Sequence, residues 1–346
     1  MSEKPSSNAS RYWKLIPGLL ISAFFLWRTL RGFHLDELRD VHFGHPVWIL
    51  GVLGFISVDY GLRSYRWWLM LRRYNARLTS CFRVLLTSLA ANNILPFRIG
   101  DFLRIFAYAP DVNASSSAVL STVVLERLLD TVMLLGFFAV AASGLENSFG
   151  AFSFHGYGIA QTVRLALVIL VFCLCLLLFG THILHILVQK LVARFGNHPR
   201  TRKFGEWAEQ LFDAIVHIPF PVRFLLVLLT AFVWLCEGMV FYSTAQLLGL
   251  NTFHGSMLAS ILSNLSFMLP SAPGGIGPFE AFGKLAMESQ GVPTSLAILY
   301  ALFVHFVIFM IVNIVGGIGF LINRKEHGGK TLSQEIESLP PEADVL

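Results

Sequence analysis

Several charged side chains in this chain stand inside long apolar stretches, where a charge is costly and is kept for pairing or for a pathway. Arg98, Asp101 and Arg104 follow Pro96 in the run Asn92-Asn-Ile-Leu-Pro96-Phe-Arg98-Ile-Gly100-Asp101-Phe-Leu-Arg104. A chain restarting as a helix after a proline exposes N–H donors and partial positive charge. With Arg98 and Arg104 beside it, such a start attracts an anion. A phosphate head group fits, because guanidinium binds phosphate through a planar fork. The competing reading is that both arginines reach out to lipid head groups at the surface.

Glu126, Arg127 and Asp130 form a second group. Glu126 and Asp130 share a helix face at i, i+4, and Arg127 can reach Asp130 at i+3. They read either as part of a pathway or as a self-neutralised cluster that locks helices. Asp59, Arg63 and Arg66 make a stripe at i, i+4, i+7. Asp59 and Arg63 are expected to pair there, and Arg66 to reach the membrane surface. Glu237 is alone in its apolar run, as a protonated core residue or as a proton or ligand site.

A second broken stretch runs Ser260-Ile-Leu-Ser-Asn264-Leu-Ser-Phe-Met-Leu-Pro270-Ser-Ala-Pro273-Gly274-Gly275-Ile-Gly277-Pro278-Phe279-Glu280. Like the first, it holds an Asn in a short apolar run, then a Pro/Gly break, then another short run. Unpaired backbone in lipid costs several kcal/mol, so such breaks belong inside protein or beside a wet cavity. Paired breaks in two halves of a membrane protein point to a transport site. Gly274 and Gly275 permit positive φ and close approach of a ligand. Glu280 and Lys284 follow at i, i+4.

The elements that position these groups follow from composition. Hydrophobic residues make up 55% of the 346 and charged ones 14%, against about 25% charged in soluble domains. The mean hydropathy is +0.65. The fold class is all-α, a polytopic integral membrane protein, because the apolar runs are continuous rather than alternating in segments of about ten. Spans are expected near 13–30, 46–71, 115–143, 162–188, 222–248 and 295–322, each near the twenty residues or so that cross a bilayer. The broken stretches 83–109 and 255–289 have halves too short to cross, so each is expected to be a re-entrant helical hairpin.

Lys and Arg mark the cytoplasmic side. Arg72, Arg73, Arg77 and Arg83 crowd one loop, and Lys190, Arg194, Arg200, Arg202, Lys203 and Arg223 another. Both termini are basic at the membrane, whereas 144–163 and 224–283 hold no Lys or Arg. Six spans plus two re-entrant hairpins satisfy this distribution, with both termini cytoplasmic. The unit 46–143 and the unit 222–322 then form an inverted-topology repeat. Residues 1–10 and the tail 323–346 are polar and expected to be disordered or cytoplasmic. The segment 197–219 interleaves charges with aromatics and reads as a surface helix or as a solvated linker.

Other functions find little support. The net charge of +5 is dispersed among the spans, so nucleic acid is not an expected partner. Cys81, Cys173, Cys175 and Cys236 read as small core residues. His182 and His185 lack acidic or Cys companions, so no metal is expected. No phosphate-binding GxxxxGK[ST] loop and no GxSxG turn occur, and neither a cofactor nor a catalytic residue is assigned.

Taken together, the Asn92–Arg104 run, Glu126-Arg127-Leu-Leu-Asp130 and the Pro270–Glu280 run resemble the lysylphosphatidylglycerol synthase transmembrane region, also called the flippase-like membrane family. The resemblance covers most of residues 11–322. It implies a cell-membrane protein that moves a modified lipid between leaflets, with Arg98, Asp101, Arg104, Glu126, Arg127, Gly274, Gly275 and Glu280 at the motif positions. Some members of that family carry a fused aminoacyl transferase. Only a short tail follows residue 322 here, so aminoacylation by this chain is not expected.

The function read from the sequence is movement of an anionic or glycosylated phospholipid, or a polyprenyl-phosphate-linked lipid, between leaflets. The pathway residues are Asn92, Arg98, Asp101, Arg104, Glu126, Arg127, Asp130, Glu237, Asn264, Gly274, Gly275 and Glu280, and Glu126, Asp130 or Glu237 could carry a coupling proton. The alternatives are a membrane-embedded head-group transferase, with Asp101 or Glu126 as acid or base, and a non-catalytic subunit of a lipid-modifying pathway. Expected partners are phosphate-bearing membrane lipids and a lipid-modifying enzyme. A homo-oligomer is left open.

Overall fold

The computed structural model describes residues 16–34, 36, 43–143, 153–154, 157–158, scattered positions from 165 to 190, and 218–326. The expected span 162–188 falls largely outside these residues. So do the segment 197–219, the two termini, Cys173, His182 and His185.

The described chain is helical, apart from a two-residue antiparallel pairing of Ser153–Phe154 with Tyr157–Gly158. Its long helices are Trp48–Leu71, Ser116–Ser143, Phe220–Leu247 and Thr294–Glu326. Among the described residues, two helices combine the length and apolarity needed to cross a membrane, Phe220–Leu247 and Thr294–Lys325. Helices Trp48–Leu71 and Ser116–Ser143, of 24 and 28 residues, are also long. What sets them apart is charge: the first carries Asp59, Arg63 and Arg66, the second Glu126, Arg127 and Asp130.

The distribution of polarity is that of a protein in lipid. Asp59, Arg66, Arg104 and Glu126 are buried, whereas Leu20, Phe224, Phe232, Phe306 and Ile318 are exposed. Apolar side chains facing hydrocarbon lose nothing, and polar groups gain by turning inward.

The chain divides into two compact units. The first takes residues up to Ile56, Leu89–Ile99 and Glu237–Ile314; the second takes Ser57–Ser88, Gly100–Cys236 and the residues from Val315 on.

In the first unit, the second broken stretch is spelled out residue by residue. Thr252 caps helix Phe253–Leu265 by accepting the Gly255 N–H at 3.1 Å. A 3-10 turn at Ser266–Met268 ends it, Leu269 is extended, and a second turn forms at Pro273–Gly275. Helix Pro278–Glu288 then starts with proline in its first turn, where no N–H is needed. It packs against Phe253–Leu265 and against the first helix, Ile16–Leu30. Helix Phe220–Leu247 stops at Gly249 (φ 71°) in a Schellman motif: Leu250 N–H donates to Ala245 O and Gly249 N–H to Gln246 O.

The first broken stretch starts as helix Leu78–Ile94. Leu95 is extended (φ −100°, ψ 144°), because a residue before proline is pushed out of the helical region. Pro96–Arg98 makes a single 3-10 turn. The chain resumes as Ile99–Phe102 and, in the second unit, widens into a π-turn over Leu103–Ala107, closed by Tyr108 N–H on Leu103 O at 2.9 Å. Such π-turns are uncommon and gather at functional sites. This one carries Arg104. The apolar core of the second unit centres on Leu69, Met70, Leu125, Leu129, Leu226 and Leu229.

Candidate functional site

The second unit gathers eight charged side chains from three segments. Arg66, on Trp48–Leu71, is fully buried. Its guanidinium forks Asp130, with Nη1 to Oδ1 at 2.7 Å and Nη2 to Oδ2 at 3.2 Å. Nη1 also donates to Thr230 Oγ1 at 2.8 Å, and Nη2 lies 3.6 Å from Glu126 Oε1. The Trp234 indole N–H completes the shell of Asp130 at 3.3 Å.

Arg104 lies on the π-turn and is 1% exposed. It donates to Glu126 Oε2 at 2.8 Å. Its guanidinium carbon sits 3.8 Å from the ring centre of Trp67, a cation–π contact. Trp67 is held in turn by its N–H on Thr122 Oγ1 at 2.9 Å.

Two further pairs flank this core. Arg127 grips both oxygens of Asp101, at 3.1 and 2.9 Å. Arg63 donates to Asp59 Oδ2 at 2.8 Å and lies over Trp234. Four guanidiniums therefore meet four carboxylates, and the formal charge sums to zero. Neutrality is what makes the cluster tolerable in an apolar interior, since an unpaired buried charge is strongly destabilising. Two donors are left over: Nε of Arg66 and Nε of Arg104 are buried without a hydrogen-bond acceptor among the described residues.

Local spacing read part of this. It identified Asp59 with Arg63 and the shared face of Glu126 and Asp130. It placed Arg104 in an anion pocket, whereas Arg104 is engaged by Glu126 under Trp67. It turned Arg127 toward Asp130, but Asp130 is occupied by Arg66 and Arg127 reaches Asp101. Arg66, expected to reach the membrane surface, is, like Asp59, fully buried. Its partners are 60 and 64 residues away, beyond any signal in helical spacing.

The first unit holds the two breaks. Arg98 has positive φ (53°) and is exposed. Its Nη2 donates to the Phe267 carbonyl at 2.9 Å, at the foot of the second break. Gly274 (φ 72°) lies so close to Asn93 O that a β-carbon would come within 3.2 Å of it. A β-carbon on Gly275 (φ 74°) would run into the Phe267 ring. The breaks therefore abut, and glycine is required where they do. Around Arg98 and its Phe267 contact, Ile94, Met268, Leu269 and Ile276 are exposed, Met268 at 65%. A cation bordered by open apolar side chains suits an amphiphile.

Of the remaining expected residues, Asn92 is half-buried and Glu237 is buried. Asn264 turns its amide back onto Ser260 O at 2.9 Å. Glu280 is buried and accepts the Gly277 N–H at 2.7 Å, capping its own helix start. His305, which no motif announced, lies 2.6 Å from the other oxygen of Glu280. Lys284 donates to the carbonyls of Thr29 and Arg31 at 3.1 and 3.5 Å, tying helix Pro278–Glu288 to the end of the first helix.

A family model described as "Lysylphosphatidylglycerol synthase TM region" matches residues 15–316. No curated protein matches the chain.

Proposed function

This chain belongs to the family of lysylphosphatidylglycerol synthase transmembrane regions, membrane proteins of lipid modification or transport, and from that premise we propose that it moves a phosphate-bearing lipid between leaflets. The candidates are an anionic or glycosylated phospholipid and a polyprenyl-phosphate-linked lipid. The observation that carries the reading is Arg98 at the abutting breaks, bordered by exposed Ile94, Met268, Leu269 and Ile276. The phosphate takes the guanidinium and the acyl chains take the apolar border. Asn92, Asn264, Gly274, Gly275 and Glu280 line or shape this place.

The broken stretches act as two re-entrant hairpins that open from opposite sides of the cell membrane, within an inverted repeat whose termini are cytoplasmic. Asp101, Arg104, Glu126, Arg127 and Asp130, in the second unit, are read as pathway residues as well. A passing phosphate takes over a guanidinium from a carboxylate there, and the spare Nε donors of Arg66 and Arg104 supply extra hydrogen bonds. Glu237, in the first unit, is also read as a pathway residue. A lipid-modifying enzyme supplies the cargo.

The test is exchange of a fluorescent anionic phospholipid across vesicles holding the purified protein. Arg98→Ala slows exchange by about tenfold or more, the worth of one charge-assisted hydrogen bond. Arg98→Lys recovers little, because a point charge does not reproduce the planar fork. Normal exchange by Arg98→Ala would overturn the phosphate assignment. A new lipid species in the mass spectrum, with no exchange, would mark a head-group transferase instead.

A further inference from the structure

His305 has no part in the pathway above, yet it is buried in the middle of helix Thr294–Glu326 beside a buried carboxylate. Its Nδ1 lies 2.6 Å from Glu280 Oε1, so one proton lies between them. The ring stacks on Phe279 (centroids 4.1 Å, 26°) and meets Phe309 edge-on (6.3 Å, 88°). A packing histidine needs neither a carboxylate partner nor an aromatic slot. The other oxygen of Glu280 holds the Gly277 N–H at 2.7 Å.

We propose that His305 and Glu280 form the proton-binding site that couples lipid movement to a proton gradient. This rests on the lipid-movement reading and adds its driving ion. Nδ1 is committed to Glu280, so a proton arrives at Nε2 and turns the ring into an imidazolium. Passing the Nδ1 proton to Glu280 leaves a neutral ring and a neutral acid. A carboxylic acid is a weaker acceptor than a carboxylate, so the hold on Gly277 loosens. On the other side Glu280 returns its proton to Nδ1 as Nε2 releases one, and the pair is back in its starting state with no net chemistry.

The loosened element is the Pro273–Gly277 turn. Gly277 (φ 99°) is so close to the first helix that a β-carbon would lie 2.5 Å from Ser22 O, and Ala272 N–H donates to Ser22 Oγ at 2.7 Å. Gly274 of the same turn meets Asn93 O, five residues before Arg98. A change at Glu280 therefore reaches the Arg98 break through one short turn.

Other titratable groups stand on the elements around the pair. Lys284, one turn on, gives its ammonium to Thr29 O and Arg31 O and lies 3.7 Å from Glu288. The first helix contributes only Arg28, in its last turn. Helix Phe253–Leu265 contributes only His254, in its first turn, and the Ser266–Met268 turn has no titratable group. On the His305 helix Tyr300 gives its hydroxyl to Phe241 O at 3.1 Å. Phe241 packs on Phe279, and Glu237 lies one turn before it.

The test uses the full chain in vesicles of mixed phosphatidylglycerol and phosphatidylcholine, comparing wild type with His305→Asn. Asparagine can place a donor where Nδ1 stands but carries no titratable proton. A gradient of one pH unit biases a one-proton equilibrium by at most about tenfold. The expected result is that wild-type accumulation of the fluorescent lipid in one leaflet follows the gradient. His305→Asn keeps its Tm and its gradient-free exchange and loses that response.

A full response in His305→Asn, or none in wild type that still exchanges lipid, overturns the proton site and leaves lipid movement standing. If wild type exchanges no lipid at all, the lipid-movement reading fails, and proton uptake driven by a potassium–valinomycin potential judges the pair alone. Uptake in wild type that His305→Asn lacks supports it, and uptake absent or equal in both overturns it.

Discussion

Replacing Arg66 by methionine tests the neutral cluster directly. Methionine keeps most of the side-chain length and removes the charge. The change leaves Asp130 buried, with the Trp234 indole at 3.3 Å in place of a two-bond fork. Glu126 keeps Arg104 at 2.8 Å and loses the second guanidinium at 3.6 Å. The formal charge of the cluster falls from zero to minus one. Breaking one partner of a buried pair costs about 3–5 kcal/mol, because the other charge stays buried. Asp130→Leu should cost a similar amount, by stranding Arg66. The double variant removes both charges and fills the space with apolar atoms, so it should lie within about 1–2 kcal/mol of wild type. The coupling between the two sites is then several kcal/mol, above the usual range for residues in contact. Denaturation of the detergent-purified protein, followed by tryptophan fluorescence, measures all four corners of the cycle, since Trp67 and Trp234 touch the cluster. If the double variant is as unstable as the sum of the singles, the fork between Arg66 and Asp130 does not hold the fold and the reasoning is refuted.

Gly275→Ala should lose stability and lipid exchange together, by about 1 kcal/mol or more, because the new β-carbon enters the Phe267 ring at a backbone φ of 74°. Pairing it with Phe267→Leu should recover part of the Tm, and an unchanged Tm in the single variant would refute the close contact. The inverted repeat is checked by single cysteines: Asn147→Cys and Asn251→Cys should label from outside the cell, Arg77→Cys and His198→Cys only after permeabilisation. External labelling of Arg77→Cys would sink the arrangement.

The sequence alone determined the class of this protein and the inventory of its chemistry. Apolar runs this long leave no soluble alternative, and proline and glycine inside them mark the breaks, because each removes a donor or permits a backbone angle that ordinary residues avoid. Gly274 and Gly275 have positive φ where the residue types permit it, whereas the positive φ of Arg98 carried no sequence signal. Three motifs also identified the family. Helical spacing found the pairs that lie within one helix, such as Asp59 with Arg63. What it could not find were partners from other segments. Arg66 with Asp130, Arg127 with Asp101, Arg104 with Glu126 and His305 with Glu280 were decided by tertiary packing alone. A charge in a low-dielectric interior takes whichever opposite charge the packing of helices brings within about 3 Å, and sequence distance has no bearing on that. The same packing left His305 without a sequence signal, since a lone histidine on an apolar helix acquires chemistry only from what faces it.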